Sequence, residues 1–404
     1  MMITSPRYDR LLSSRALIGW GRPVGTQRPV TSARYEFGGG FPDPASFPYD
    51  ELAEATARVM KEDGAAALTY GDPQGYRGLR ELVCQKYELF ESLKITPDQL
   101  IVSNGSGHAL ALAFSAFVDV GDAVISEAPT FSGTIHTLRR HGPEIHDVPV
   151  DREGIVTAAV RERLTALRRA GRACKLIYTI VNFQNPSGPT QSLRRRQELI
   201  ELAHEFDTLL LEDDAYGELR FEGDMLPSLH ALDRGGRVIR AGTLSKILGA
   251  GVRLGWLLAP RDLIPAFQGF LFGGGVSPFM SRVATWYMRD HMAAHVARLV
   301  GVYRAKRDAM LAGLADGLAG TDAEVNRPEG GFFVWIRLPR GTDPARLATL
   351  AAQAGVQYTP GTAFYPNGGG DDYIRLAYSY EPPEKCREGA GLIARAIRDA
   401  AAAR

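Results

Sequence analysis

The stretch 242-GTLSKILGAGVRLGW-256 follows a β-rich run, 237-RVIRAGT-243, and sets one lysine among hydroxyl residues and an arginine. Lysine occurs at only seven of the 404 positions, so Lys246 in apolar and hydroxyl surroundings reads unlike a surface lysine. An amine works as nucleophile and proton shuttle near neutrality when desolvation or a neighbouring cation depresses its pKa, and Arg253 is a candidate cation. Other strand ends carry polar groups too. The turn 182-NFQNPSG-188 closes one run with an amide and Pro-Ser-Gly, and 212-EDDAYGEL-219 closes another with paired acids and a tyrosine. In 103-SNGSGHALALAF-114 a short apolar run leads through Gly105-Ser106-Gly107 into helical sequence. Such a helix N-terminus offers outward N–H groups and a favourable dipole to a phosphate.

Around these stretches, short β-rich runs recur at 100–104, 123–129, 144–150, 175–183, 208–216, 237–243 and 254–260. Amphipathic segments such as 108–118 and 193–206 lie between several of them. Strands alternating with helices predict an α/β fold, with a large, mainly parallel seven-stranded sheet covered on both faces. Sites in such sheets lie in loops beyond the carboxyl ends of the strands. After about residue 280 the texture changes: a long helical pattern over 283–314 precedes strands at 332–339 and 373–380, with helical patterns at 344–355 and 384–402. This predicts a smaller α+β domain. The Gly/Pro-rich 36-EFGGGFPDPASFP-48 reads as a crossing loop. The expected division is an N-terminal arm and crossing loop over 1–48 that joins the small domain, a large domain over 49–280, and the small domain over 281–404.

Bulk properties narrow the function. A formal net charge of +1 argues against a nucleic-acid partner, since such domains show strong basic excess. Cys84, Cys174 and Cys386 are odd in number and far apart, so neither a disulfide framework nor a CxxC metal site is implied. Residues 1–22 hold no sustained apolar stretch of the signal-peptide kind. No apolar run approaches the roughly 20 residues that span a bilayer, and a cytoplasmic protein without a membrane partner is expected. His291 and His295 share a helix face but lack the glutamate of HExxH, so solvated histidines are expected there and no metal.

A dinucleotide would want GxGxxG or GxGxxA and an acid roughly 20 residues on. Glu127 could be that acid, but Leu110 fills the third position, where close helix–strand packing excludes bulk. The strand ends taken together suit one phosphorylated heteroaromatic aldehyde instead. Pyridoxal phosphate chemistry needs this set: a lysine for the aldehyde, an acid on the pyridine nitrogen, donors to the phenolic oxygen and a phosphate cup.

From about 36-EFGGGFPDP-44 to 373-YIRLAYS-379 the chain resembles the fold type I, class I/II aminotransferases that use pyridoxal phosphate, close to the aminoadipate/kynurenine branch. The resemblance implies the type I fold and these roles. Lys246 bonds the cofactor aldehyde, and Asp213 sits under the pyridine nitrogen, with Asp214 its rival. Tyr216 and Asn185 donate to the phenolic oxygen. Ser106, Gly107, Thr243, Ser245 and Arg253 hold the phosphate, and Tyr70 reaches it from a second subunit. Phe131 stacks on the ring. Arg375, in 374-IRLAYS-379, clamps the substrate carboxylate, and Gly39 and Gly40 let the crossing loop come close. The implied reaction moves an amino group between an amino acid and a 2-oxo acid in a homodimer with shared sites.

Some residues depart from the family pattern: Gly107-His108 after the phosphate-loop serine, no glutamine in 273-GGGVSPFMSR-282, and Val181 and Ala250 where proline is common. An alternative reading therefore diverts the same carbanion to decarboxylation, oxidation, elimination or cyclisation. A regulator with a fused winged helix is not expected, because about 35 residues precede the glycine loop.

Overall fold

The computed structural model describes residues 11–13, 16–17, 33–271 and 275–401. Most of the arm before residue 33, and Gly273 and Gly274 of the loop 273–282, lie outside the described residues. Apolar runs form the strands β1 (Leu100–Ser103), β2 (Ala123–Ala128), β3 (Glu144–Asp151), β4 (Gly154–Ile155), β5 (Cys174–Ile180), β6 (Leu209–Asp214), β7 (Val238–Thr243) and β8 (Gly255–Leu258). They make one sheet in the order β1-β8-β7-β6-β5-β2-β3-β4. Neighbours from β3 through β7 run parallel, while β8 opposes both β7 and β1, and β4 opposes β3. The sheet thus has eight strands where seven were expected. The additional β4 is two residues folding back on β3, too short for any pattern to register.

Every residue of β1 and β7 is buried, as befits strands covered on both faces. Helices α1 (Ser106–Phe117) and α2 (Ser132–His141) follow β1 and β2, and α3 (Leu193–Phe206) follows the turn after β5. Ser192 caps α3 by accepting from Arg195 N, and Leu199, Leu202 and Ala203 form its buried stripe. The long helix α4 (Pro278–Leu318) outruns the pattern read over 283–314. Ser277 accepts from Met280 N and Pro278 takes the first helical position, which starts the helix before its apolar period begins.

Helix α5 (Pro383–Ala401) lies along α4. A Cβ on Gly317 would sit 2.4 Å from Ala394 Cβ, so glycine permits this approach. Strands β9 (Glu324–Val325), β10 (Phe333–Arg337), β11 (Thr359–Pro360) and β12 (Tyr373–Ala377) form an antiparallel sheet ordered β9-β10-β12-β11. The N-terminal strand Tyr35–Glu36 pairs with Val356–Gln357, and Phe37 O accepts from Ala377 N at 2.8 Å. The crossing loop therefore starts beside the small sheet before the chain enters the helix Tyr49–Glu62. Segments that follow β2, β5, β6 and β7 meet this region: Thr130 N donates to Phe364 O, Asn185 accepts from Arg375, Tyr216 packs on Phe332, and Lys246 donates to Gly40 O.

Candidate active site

Strand β6 ends in two carboxylates, and the strand's alternation sends them to opposite faces. Asp214 shares a face with Glu212, and cross-strand Arg240 pairs with both, as well as with Glu91 at 2.7 Å. Asn182 also donates to Asp214 at 3.0 Å. Burial raises the Asp214 carboxyl, but Arg240 and Lys86 outweigh it and hold it below its ordinary value. Asp213 differs. Tyr178 donates to its Oδ2 at 2.7 Å, while Oδ1 is buried with no partner. Burial pushes this carboxyl up to about 6, against the Tyr178 hydrogen bond. Asp214 is thus occupied by charge partners, and Asp213 has one oxygen left for a donor.

Lys246 lies three residues past the end of β7, and its Nζ donates to Gly40 O at 2.9 Å. The amine stands 5.5 Å from the Tyr216 ring centroid and 5.6 Å from that of Phe332. Burial first, then the Arg375 charge, pulls it down to about 8, so the neutral amine is far more populated near neutrality than in an ordinary lysine. Tyr216 is buried, edge-on to Phe332 and Phe333.

Arg375, in the middle of β12, reaches the same crossing loop. It donates to Asn185 Oδ1 at 2.9 Å, to Gly38 O at 2.7 Å and to Thr359 Oγ1 at 3.4 Å. Its guanidinium lies 4.1 Å from the centroid of Phe333 and 4.7 Å from that of Phe364. Only 6% of the residue is exposed, Nε is unpartnered, and no ion pair reaches it among the described residues. Burial pulls it down to about 10. A buried cation without a counter-charge is costly, and an anion brought to it relieves that cost.

At the start of α1, Gly105 has φ +75° and no side chain caps the helix, so the Ser106 and Gly107 amides stay open, while His108 N donates to Gly105 O. The Arg253 guanidinium stands beside this turn and donates to Asn104 O at 2.6 Å. Space around Gly107 is open, and His108 Nδ1 turns back to accept from Asn104 N. Thr243 Oγ1 lies 2.9 Å from Ser245 Oγ and accepts from Ser245 N. Phe131 immediately precedes α2, half-buried.

Tyr70 does not join this group. It is 86% exposed and lines an open groove of about 500 Å³ with Ala65, Thr69, Tyr76, Arg77, Pro278 and Arg282. One expectation needs correction. His295 is not solvated: it is buried, bonded to Tyr287 Oη at 3.0 Å and to Ile247 O, beside Lys246. The rejected dinucleotide reading of Glu127 agrees with its surroundings: it is fully buried and accepts from Ile180 N at 3.1 Å and Gln184 Nε2 at 3.0 Å. Tyr178, Thr134, Gln184 and Gly38 were missed, because each works through a partner distant in sequence.

A parallel sheet that gathers a depressed lysine, an unpartnered acid, an uncompensated arginine and an anion cradle at its strand ends defines an aminotransferase-like fold and site. The sequence profile of the class I and II aminotransferases matches residues 39–393, and the chain belongs to that family. It is 35% identical to aromatic-amino-acid aminotransferase 1 of Thermococcus litoralis over 97% of this chain and 95% of that one. It is similar to the alpha-aminoadipate aminotransferase structure of Thermus thermophilus, complexed with N-(5'-phosphopyridoxyl)-L-leucine, with a TM-score of 0.88, 31% identity, and 97% and 98% coverage of the two chains. For the Pyrococcus horikoshii kynurenine aminotransferase structure the TM-score is 0.89, with 31% identity and the same coverage.

The fold is the type I fold of these enzymes, the activity is transamination, and the cofactor is pyridoxal phosphate. This chain's residues fit that group: the orphaned Asp213 Oδ1 suits a ring N–H, the open amides at Ser106 suit a phosphate, and Lys246 suits an aldehyde. Among the described residues no helix is long and apolar enough to cross a membrane.

Proposed function

We propose that the chain transfers the amino group of an α-amino acid with a large side chain, aromatic or aminoadipate-like, to a 2-oxo acid. When bound, the cofactor supplies the aldehyde that takes up the amino group and the ring that accepts electrons from Cα. With the cofactor bound, Lys246 Nζ would hold its aldehyde and, when free, would carry the α-proton. Asp213 keeps the ring nitrogen protonated through Oδ1. Tyr216 and Asn185 donate to the phenolic oxygen, and Phe131 covers the ring face. Ser106, Gly107, Thr243, Ser245 and Arg253 bind the phosphate. Gly39 and Gly40 let the crossing loop lie against the substrate.

The observation that carries the reading is Arg375: a buried guanidinium with no counter-charge, beside the Lys246 amine, is the receptor for the α-carboxylate. The large-substrate reading follows the aromatic, aminoadipate and kynurenine activities named for several relatives, although an alanine:glyoxylate aminotransferase structure is also 31% identical. We assign the described residues of 49–280 to the cofactor domain, and those of 1–48 and 281–404 to the smaller one. The exposed Tyr70 reaches the phosphate of a partner subunit, so the unit is a homodimer with shared sites. Free cysteines at 84, 174 and 386 suit a reducing cytoplasm.

The direct test is Lys246→Ala, which abolishes the cofactor's imine absorbance and turnover. Full retained activity refutes the assignment. A screen of amino donors against the cofactor spectrum then tests the substrate class. Phenylalanine or 2-aminoadipate should convert the cofactor faster than alanine or aspartate, and the reverse order overturns it.

A further inference from the structure

We propose that Tyr178 is a positioning residue for the cofactor's ring nitrogen: its hydroxyl engages Asp213 Oδ2 and thereby commits Oδ1 to that nitrogen. The proposal rests on the reading of Asp213 given above. Tyr178 lies inside β5, fully buried, where a phenol needs a partner for its polar tip. It has partners on both sides. Thr134 Oγ1 donates to Tyr178 Oη at 3.0 Å, and Tyr178 donates onward to Asp213 Oδ2 at 2.7 Å. An ionised carboxylate only accepts, which sets the direction of both protons towards Asp213.

This arrangement does two things. It fixes the carboxylate, so that the oxygen with no protein partner is the one left to face a ligand. It also favours the ionised acid, since a hydrogen bond to the charged form opposes the burial that otherwise raises Asp213. An acid that kept the proton would leave the ring nitrogen neutral and the ring a weak electron acceptor. Burial and the Asp213 charge push the Tyr178 phenol well above its ordinary value, so it remains a donor across the neutral range. Thr134 stands in the first turn of α2, which Phe131 immediately precedes. The hydroxyl pair therefore also ties the helix behind the ring-covering residue to the acid beneath the ring.

The test compares pyridoxal phosphate with its analogue carrying carbon in place of the ring nitrogen. Dissociation constants for both are measured by absorbance titration on the full chain, for the unmodified protein, Tyr178→Phe and Thr134→Val. The unmodified protein should prefer pyridoxal phosphate. Tyr178→Phe should weaken pyridoxal phosphate about tenfold or more, the size of one hydrogen bond to a charged group, and leave the carbon analogue nearly unchanged. Thr134→Val should show a smaller loss with the same selectivity. Equal weakening of both compounds would mean a merely structural tyrosine and overturn the proposal. If the unmodified protein does not distinguish the two, the Asp213 assignment fails and this proposal with it. Should Tyr178→Phe not fold, as judged by its melting curve, the Thr134→Val selectivity decides alone.

Discussion

At the scale of the residue, the site works through polar groups held short of full satisfaction. Asp213 and Asp214 are chemically identical neighbours, yet strand alternation gives one a buried arginine and the other an empty oxygen. Arg375 shows the same economy. Its fork is held by Asn185, Gly38 and Thr359, all neutral, so its charge stays unspent until an anion arrives. Lysine would keep the charge and lose the planar fork, which cannot then grip both neutral partners and a carboxylate. Arg375→Lys should therefore lower kcat/KM for the amino acid by about 100-fold, mostly through KM, with little change in the cofactor's absorbance. Steady-state kinetics beside a spectrum check this, and an unaltered KM would dissociate Arg375 from the carboxylate.

At the scale of the element, loops at strand ends are braced from beneath by buried groups. Glu127, near the end of β2, receives Thr179 Oγ1, Ile180 N and Gln184 Nε2, and Gln184 in turn holds Pro129 O and Ser187 N. One carboxylate so fastens the loop before Phe131 and the loop around Asn185. Burial, chiefly, pushes Glu127 up to about 7 from an ordinary 4.5, against the hydrogen bonds it accepts. The folded chain then holds its proton more tightly than the unfolded one. Its contribution is complete below pH 4.5 and is lost as pH rises through about 7. Glu127 by itself should thus cost the cofactor-free protein up to about 3 kcal/mol over that window, and Glu127→Gln should flatten the slope by that share. Denaturant melts at several pH values measure it, and an unchanged slope in the variant would contradict the account. The sequence exposed the strands and the motif residues, because apolar runs and local spacing are properties of neighbours. It hid Tyr178 inside 175-KLIYTIVNF-183, where a tyrosine looks like strand filler, since its partners Thr134 and Asp213 arrive from other elements. It gave no sign of the bracing role of Glu127 for the same reason, and left β4 invisible because two residues carry no period.

At the scale of the whole molecule, one candidate residue stands apart from the rest. Asp213, Asn185 and Arg375 are at most 6% exposed and Lys246 is half-buried, whereas Tyr70 is 86% exposed on a groove that none of them lines. An aromatic ring left that bare gains from burial against another surface. On the proposed homodimer it completes the phosphate cup of the partner, and subunit mixing distinguishes this from action within its own chain. Take one subunit carrying Tyr70→Phe and one carrying Lys246→Ala. If Tyr70 serves across the interface, the first subunit keeps its own Lys246 and receives an intact Tyr70 from the second. The hybrid then has one native site and one doubly impaired site, and should show about half the native activity per dimer, because the two sites sum independently. If Tyr70 serves its own chain, each site in the hybrid carries one lesion, and activity stays no higher than half that of the Tyr70→Phe homodimer. Co-refolding differently tagged subunits, isolating the hybrid and assaying it beside both parent homodimers reads out the difference directly.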